Sequence, residues 1–166
     1  MRAIVALSLA CLACASPPQP AAAAAAANAG IDSLNARLVQ VYRNYDAAGY
    51  AALFTDSAVF EWPAFNTVRG PAGMAAMARS NWTGLRAMDL RLIVAARRLA
   101  ADHATEFGAF QQSWSDSSGA RMTEFGRYVT FLARTQNGTW LIDRFFGFED
   151  STRSSTPPGG RRTQPQ

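Results

Sequence analysis

Residues 104–148 read ATEFGAFQQSWSDSSGARMTEFGRYVTFLARTQNGTWLIDRFFGF and contain three runs rich in aromatic and β-branched residues. Polar residues separate these runs, first SDSSGA at 115–120 and then Asn137-Gly138, a dipeptide that strongly favours a hairpin turn. Strand-forming runs joined by such short turns predict a meander of antiparallel strands. The predicted strands span 104–114, 122–134 and 140–148.

A fourth long strand is predicted before this meander, where Leu90, Leu92 and Val94 alternate with other side chains. An alternation with a period of two is typical of a strand with one face in the core. Gly108 and Gly126 fall in the middle of predicted strands, where glycine allows a sheet to bend strongly. We therefore expect one curved antiparallel sheet.

Helical periodicity comes earlier in the chain. Apolar side chains three and four residues apart predict a first helix. They belong to Ile31, Leu34, Leu38, Val41 and Tyr45. Gly49 ends this pattern, a short helix follows over 50–54, the stretch AVFEWP at 58–63 is extended, and Gly70-Pro71 opens a third helix. This order predicts an α+β fold, with three N-terminal helices packed in the concave face of a curved antiparallel sheet.

The composition indicates one globular domain and gives no support for a nucleic-acid partner. The chain has 166 residues, of which 49% are hydrophobic and 17% are charged. Its formal charge is +4, and all 16 basic residues are Arg. Between residues 31 and 150, 12 Arg offset 12 acidic residues, so the excess charge lies at the two ends of the chain. Binding to phosphates requires a concentrated positive face, which this distribution does not predict.

The stretch MRAIVALSLACLACA at 1–15 has the layout of a signal peptide or a lipoprotein leader, with one positive charge before a short apolar run. Two alternatives remain open. Either a peptidase cuts after Ala13 or Ala15, or Cys14 becomes lipid-modified and tethers the protein to a membrane. Both predict an exported protein that is periplasmic, secreted or lipid-anchored in a bacterial envelope. Cys11 and Cys14 are the two cysteines of the chain, so the domain is expected to fold without a disulfide.

The rest of the chain divides into three predicted parts. Residues 16–30 are rich in Pro and Ala and predict a linker. Residues 31–150 hold all the predicted helices and strands. Residues 151–166 are rich in Ser, Pro, Gly and Arg, which is typical of a disordered tail.

Five stretches carry a resemblance to a known family through their order and spacing. They are YAALFTDSAVFEWP at 50–63, VRGPAGM at 68–74, ATEFGAF at 104–110, GRYVTFLAR at 126–134 and NGTWLID at 137–143. Together they resemble the nuclear transport factor 2-like superfamily, and in particular its SnoaL-like members. The resemblance implies a domain over residues 31–150 whose sheet wraps a long helix into a cone-like α+β barrel and leaves an apolar pocket. It also implies a homodimer, because family members often pair through the outer face of the sheet.

Members of this superfamily include ketosteroid isomerases, polyketide cyclases, dehydratases and many non-catalytic proteins, so the fold alone does not assign a reaction. The isomerases carry an Asp base and a Tyr donor, and many SnoaL-like chains carry an Asp on the last strand. The matching positions here hold Trp62, Leu38 and Phe145. The replacement of three polar groups by apolar ones argues against the known isomerase chemistry.

Two functional hypotheses follow. The first is binding of a small apolar molecule in the pocket, with no catalysis assigned. The candidate ligand-binding residues are Tyr42, Tyr45, Trp62, Trp82 and Phe110. The second is a cofactor-independent isomerase, cyclase or dehydratase that uses a pocket carboxylate as its general base. A carboxylate within about 3.5 Å of a tyrosine hydroxyl on the pocket wall would favour this enzyme.

Glu106 and Glu61 are the candidate bases. Glu106 shares a strand face with Phe110, and a carboxylate inside an apolar pocket is suited to accept a proton near neutral pH. The alternative for Glu106 is a position on the surface or in a salt bridge, for which Arg127 on a neighbouring strand is a candidate partner. Glu61 adjoins Trp62, and neighbours on a strand face opposite ways, so only one of the two is expected to face the pocket.

No cofactor and no metal are expected. His103 is the single histidine of the chain, and the predicted domain contains no cysteine. Metal sites built from side chains of this kind need several such ligands. The position of His103, near a predicted hairpin end, is typical of an exposed turn residue.

Overall fold

The computed structural model describes residues 20–63 and 66–155 of the chain. The predicted leader at 1–15 with Cys14, the first residues of the predicted linker, and residues 156–166 of the predicted tail lie outside the described residues. Within the described ranges, no helix is both long enough and apolar enough to cross a membrane.

Three helices and six strands make up the described part of the chain. The helices are α1 (Pro20–Arg43), α2 (Ala47–Ala51) and α3 (Gly70–Trp82). The strands are β1 (Phe54–Glu61), β2 (Val68–Arg69), β3 (Arg86–Leu99), β4 (His103–Ser115), β5 (Arg121–Arg134) and β6 (Trp140–Ser155). All three helices precede the four long strands, as the sequence predicts.

The six strands form one sheet in the order β2-β1-β6-β5-β4-β3. Every neighbouring pair is antiparallel except β1 and β6, which run parallel. The sheet is curved but does not close, so β2 and β3 are its edges. The predicted α+β fold is therefore confirmed, with a mostly antiparallel open sheet in place of a closed barrel.

Both turns predicted in the meander are present. At the β4–β5 turn, the Asp116 carboxylate accepts a hydrogen bond from the backbone N–H of Ser118 (2.8 Å). At the β5–β6 turn, Gly138 has a φ of +86°, a left-handed backbone conformation that glycine adopts without steric cost. The first turn sets a register in which Gln112 lies opposite Glu124.

The concave face of the sheet and the inner face of α1 form the core. On α1, the side chains of Ile31 and Leu34 are at most 2% exposed. Along β5, buried positions alternate with more exposed ones, as a strand with one face in the core requires. The buried ones include Glu124, Gly126, Tyr128, Thr130 and Leu132. Polar side chains on this inner face therefore lie in apolar surroundings.

Helix α1 begins at Pro20, within the segment 16–30 that the sequence predicts as a linker. Alanine is the strongest helix former, and this part of the helix also packs. Ala27 is buried, and the Asn28 side chain accepts a hydrogen bond from Arg97 on β3 (2.9 Å). The linker prediction is wrong for residues 20–30, because contacts with the sheet stabilise an alanine run that shows no amphipathic pattern.

Strand β6 continues to Ser155, beyond the predicted end of the domain at residue 150. Its last residues pair with the start of β5, where Ser155 lies opposite Arg121. Their side chains are exposed, so no apolar alternation marks them in the sequence. The tail prediction is wrong for residues 151–155, because backbone pairing extends the strand.

Helix α2 spans Ala47–Ala51, whereas the sequence predicts a helix over 50–54. Asp46 caps it, because its Oδ1 accepts a hydrogen bond from the Gly49 N–H (2.8 Å). Gly49 thus lies inside the helix, and Phe54 already belongs to β1, where it pairs with β6.

Candidate functional site

A cavity of about 440 Å³ lies between the helices and the concave face of the sheet. Trp82, at the end of α3, contacts Tyr42 and Tyr50 edge to face, with ring centroids 5.6 Å apart in each pair. Trp62 follows β1, and its ring centroid is 5.5 Å from that of Phe110 on β4. All five rings line the cavity and make its walls largely apolar.

Four of the five predicted ligand-binding residues line this cavity, namely Tyr42, Trp62, Trp82 and Phe110. Tyr45 does not. Its φ is +57°, it is 38% exposed, and its hydroxyl accepts a hydrogen bond from the Met88 N–H (3.1 Å). The expectation that Tyr45 continues the inner face of α1 is not met, because the helix ends at Arg43 and the backbone turns away.

The three positions at which the family resemblance implies polar groups also face this cavity. Leu38, Trp62 and Phe145 are all part of its lining. The Phe145 ring stacks on Phe60 with centroids 5.0 Å apart, so this wall is continuous with the core. The cavity is therefore apolar where the isomerases are polar.

Two carboxylates interrupt the apolar lining, those of Glu124 on β5 and Glu149 on β6. Glu124 is only 8% exposed. The Tyr42 hydroxyl donates to Gln112 Oε1 (2.9 Å), and Gln112 Nε2 donates to Glu124 Oε2 (3.0 Å). The other oxygen of Glu124, Oε1, is buried and has no hydrogen-bond partner within residues 20–63 and 66–155. These side chains form the Tyr42–Gln112–Glu124 chain.

Burial governs the ionisation of Glu124 and Tyr42 in the Tyr42–Gln112–Glu124 chain. Removal from water raises the pKa of Glu124; the hydrogen bond from Gln112 acts against this rise, and the charge of Glu149 adds to it. Burial also raises the pKa of Tyr42, and the charge of Glu124 contributes to that rise. Glu124 therefore keeps its proton to a higher pH than a solvent-exposed glutamate, and it can exchange that proton inside an apolar cavity.

Gln112 and Glu124 are not among the site residues predicted from the sequence. The signal for Glu124 is the alternation along β5, because Tyr128 and Leu132 lie on the same strand face. The signal for Gln112 is the turn around Asp116, which fixes its position opposite Glu124. When the period of two is applied to polar side chains as well as apolar ones, it places both residues on the inner face of the sheet, and their contact then depends on the register of the two strands.

Glu106 is buried at 1% exposure, but it does not line the cavity. Arg97 donates to its Oε2 from Nε (2.9 Å) and Nη2 (2.5 Å), and the Tyr128 hydroxyl donates to its Oε1 (2.8 Å). Asn35 on α1 donates to both oxygens. The partner is Arg97 and not the expected Arg127, because the β3–β4 register places Arg97 directly opposite Glu106.

Glu106 therefore belongs to the packing of α1 on the sheet. Glu106 does lie within hydrogen-bond distance of the hydroxyl of Tyr128, a residue of the cavity wall, which is the contact between carboxylate and tyrosine that would favour an enzyme. Both of its oxygens are nevertheless occupied, and the Arg97 guanidinium offsets its charge. A carboxylate held in this way is not available to a molecule in the cavity.

The other candidate base, Glu61, also lies away from the cavity. Its side chain is exposed at the end of β1, whereas Trp62 lines the cavity. The two neighbours thus face opposite ways, as the strand geometry requires. Neither predicted base reaches the cavity, and Glu124 takes the position that the hypothesis of a pocket carboxylate requires.

His103 lies at the start of β4, where its Nδ1 is 2.6 Å from Asp102 Oδ1. Their side chains are 71% and 70% exposed, so the pair is a surface feature. In the part of the chain that the structure describes, no group of three or more His, Cys, Asp or Glu side chains is arranged to hold a metal ion.

A family model described as the SnoaL-like domain matches residues 23–145. The chain belongs to the SnoaL-like domain family. The resemblance stated from the sequence is therefore confirmed. The matched residues include Tyr42, Gln112 and Glu124, so the Tyr42–Gln112–Glu124 chain lies within the SnoaL-like domain itself. No curated protein matches the sequence significantly.

Solved structures share the fold of this SnoaL-like protein at low sequence identity. A ketosteroid isomerase-like protein from Erwinia carotovora atroseptica is 18% identical, with a TM-score of 0.66 over 74% of this chain and 95% of that chain. A hexachlorocyclohexane dehydrochlorinase from Novosphingobium barchaimii is 16% identical, with a TM-score of 0.69 over 86% and 98%. A protein from Mycobacterium tuberculosis described as of unknown function is 21% identical, with a TM-score of 0.69 over 80% and 76%. Similarity at these identities establishes the fold alone.

Proposed function

We propose that this SnoaL-like protein binds a small, mostly apolar molecule in the cavity between its helices and its sheet. The observation that carries the proposal is the cavity itself, which has a volume of about 440 Å³ and aromatic walls. Ligand pockets typically measure about 300–1,000 Å³. Burial of apolar surface contributes about 25 cal/mol per Å², so a guest that covers these walls gains affinity from contact area.

Three tryptophans permit a direct test, because Trp62, Trp82 and Trp114 all line the cavity. We expect adamantane, a compact hydrocarbon, to change the tryptophan fluorescence in a saturable manner. Native mass spectrometry of the protein purified from its own cells identifies the natural ligand. Failure of every apolar probe to bind would contradict the proposal.

Two adjacent residues on β3 provide matched variants. Leu92 lines the cavity, whereas Ile93 is 47% exposed on the opposite face of the sheet. We expect Leu92→Phe to fill part of the cavity and to weaken adamantane binding about tenfold, which corresponds to about 1.4 kcal/mol. Ile93→Phe should leave the affinity unchanged. Equal affinities in both variants would show that the probe binds elsewhere.

A second candidate function is cofactor-independent proton transfer with Glu124 as the general base. The observation that favours it is the buried Glu124 Oε1, which has no hydrogen-bond partner within the described residues. In such a reaction this oxygen takes a proton from a carbon atom, and the electron pair moves into a neighbouring carbonyl or expels a leaving group. Structures of similar fold include proteins named ketosteroid isomerase-like and hexachlorocyclohexane dehydrochlorinase, so the fold is compatible with this class of chemistry.

Deuterium exchange tests this second candidate. NMR of 1-acetyladamantane incubated with the protein in D2O measures proton removal from its methyl group. We expect exchange to be lost in Glu124→Gln and kept in Glu61→Gln, because Glu61 is exposed and lies away from the cavity. Exchange no faster than in buffer alone would contradict a general base in this cavity.

We also propose that the protein is exported, and the support is the leader-like stretch at 1–15. Mass spectrometry of the protein from its own cells measures the mature N-terminus. Cleavage after Ala13 or Ala15 indicates release, and a diacylglycerol adduct on Cys14 indicates a lipid anchor. An intact N-terminus at Met1 would contradict export.

We further propose that two copies pair through the outer face of the sheet. The support is a set of exposed aromatic side chains on three neighbouring strands. Phe107 on β4 is 38% exposed, Phe131 on β5 is 42% exposed, and Phe148 on β6 is 45% exposed. These side chains lie on the face opposite the cavity, so pairing would leave the binding site free.

A further inference from the structure

The cavity carries negative charge and no compensating positive charge from the described residues. The carboxylates of Glu124 and Glu149 line it, whereas no Arg or His side chain does. The chain contains no Lys. A neutral or positively charged molecule complements such a cavity, and a carboxylate or a phosphate would be repelled.

The unpartnered oxygen of Glu124 specifies the group that a ligand must place there. The Tyr42 hydroxyl proton is already donated to Gln112, and Gln112 Nε2 already donates to Glu124 Oε2. Oε1 is buried and receives no donor from the described residues. A buried acceptor without a donor has lost its hydrogen bonds to water and has not regained one, which is unfavourable. A ligand with an N–H or O–H group at this point removes that cost.

A protonated amine satisfies this site more completely than a hydroxyl. It supplies a charge-assisted hydrogen bond and also the positive charge that a buried carboxylate needs. The faces of tryptophan rings attract cations more strongly than those of other aromatic residues. Trp62, Trp82 and Trp114 line the same cavity, so the walls favour a cation as well as an apolar body.

We infer that the ligand of this cavity is an apolar molecule with a protonated amine, whose nitrogen donates a hydrogen bond to Glu124 Oε1. The inference rests on the proposed binding function and adds the chemical class of the ligand. Glu149 provides a second negative charge in the lining. The apolar body of the ligand lies against the aromatic walls.

Three probes with the same adamantane body test the inference on the full chain. They are 1-adamantylmethylamine, 1-adamantylmethanol and 1-adamantanecarboxylic acid, which are positively charged, neutral and negatively charged at neutral pH. Calorimetry and tryptophan fluorescence measure their dissociation constants. We expect the amine to bind at least about tenfold more tightly than the alcohol, and the acid to bind most weakly.

Variants of Glu124 assign the preference to this carboxylate. In Glu124→Gln, we expect the amine affinity to fall about tenfold, to the level of the alcohol, while alcohol binding is retained and shows that the variant is folded. Glu124→Leu is a second variant, which leaves no unpaired buried oxygen and should lose the preference equally. Glu61→Gln is the matched control, because it removes an exposed carboxylate away from the cavity.

The outcomes separate this inference from the proposed function. Equal affinities for the amine and the alcohol, or an amine preference that survives both Glu124 variants, would overturn the inference. The proposed binding function would then still stand, because the neutral probe binds. Failure of adamantane and of all three derivatives to bind would overturn the proposed function, and the inference with it.

Discussion

Glu124 and Glu106 are buried carboxylates on adjacent strands that have different partners. Glu106 faces the Arg97 guanidinium at 2.5 Å, whereas Glu124 receives one hydrogen bond from the neutral amide of Gln112. A buried charge is stable beside a counter-charge and unstable without one. Loss of the positive charge beside Glu106 should therefore destabilise the protein, whereas loss of the negative charge of Glu124 itself should relieve an unfavourable burial.

The stability of the protein should fall as pH rises through the ionisation of Glu124. Burial raises the pKa of Glu124 above the ordinary value of 4.5. Between that value and the pKa in the folded state, the folded protein binds more protons than the unfolded chain, so the free energy of unfolding decreases with pH. Glu124→Gln cannot ionise and should show a smaller decrease.

Urea unfolding of both proteins from about pH 5 to about pH 8 checks this prediction. Tyr42 and Glu149 also face Glu124 and are present in both proteins, so the difference between the two curves isolates Glu124. The variant should gain stability relative to the wild type as pH rises. A difference that does not change with pH would contradict a raised pKa.

Loss of Arg97 should destabilise the protein far more than loss of Arg127. Arg97→Met leaves the Glu106 carboxylate buried without its counter-charge, which typically costs about 3–5 kcal/mol. The Arg127 side chain is 71% exposed where it pairs with Asp150, so Arg127→Met should destabilise the protein far less. Urea unfolding measures both values, and equal losses would mean that Arg97 does not stabilise Glu106.

The sequence predicts the apolar residues that line the cavity better than the polar residues of the Tyr42–Gln112–Glu124 chain. Trp62, Trp82 and Phe110 could be predicted because large aromatic rings are candidates for any apolar pocket, whichever residues they pair with. Gln112 and Glu124 meet only through the register of two strands, and a residue count along one strand does not give the register. For the same reason, the sequence does not predict Arg97 as the partner of Glu106, because the two residues face each other only through the register of β3 and β4.

In the N-terminal part of the helix α1, two neighbouring alanines differ in burial. Ala27 is buried against the rest of the protein, whereas Ala26 is exposed. A neutral polar group at a buried position without a partner costs roughly 1–3 kcal/mol in mutational data, and an ionised carboxylate costs more. Ala27→Asp should therefore be less stable than Ala26→Asp by at least about that amount, since both changes have the same effect on helix propensity.

Thermal and urea unfolding of the two Asp variants measure this difference. If both variants lose equal stability, the alanine run does not pack in solution, and the prediction of a linker regains support. If the difference appears, residues 20–30 are part of the folded domain.

The sequence predicts the central parts of the long elements and fails at several element ends. The strands of the meander show apolar alternation, and Gly138 marks the last hairpin. The positions of the turns between these strands are therefore predicted correctly. The start of α1 at Pro20 and the end of β6 at Ser155 depend on tertiary contacts of Ala and polar residues. Such residues carry no periodic signal, because the contacts involve mainly backbone or a few polar groups.

At the scale of the whole molecule, the curvature of the sheet creates the cavity. Gly126 on β5 shows how closely the inner face is packed, because a Cβ atom there would lie 2.4 Å from Phe110 Cζ. Glycine at this position lets the Phe110 ring approach the strand closely and form part of the cavity wall. On the outer face of the same strands, the side chains of Phe107, Phe131 and Phe148 are not covered by any of the described residues.

The exposed outer face leads to a prediction about assembly. We expect the wild-type protein to be a dimer in size-exclusion chromatography with light scattering. A double variant with Phe131→Ser and Phe148→Ser should be monomeric, because it removes apolar area from the proposed interface. Arg37→Ser on α1 is the control and should remain dimeric. Adamantane binding should be unchanged in all three proteins, since the cavity lies on the opposite face of the sheet. A wild-type protein that stays monomeric at high concentration would contradict pairing through this face, and it would leave the cavity and its ligand chemistry unaffected.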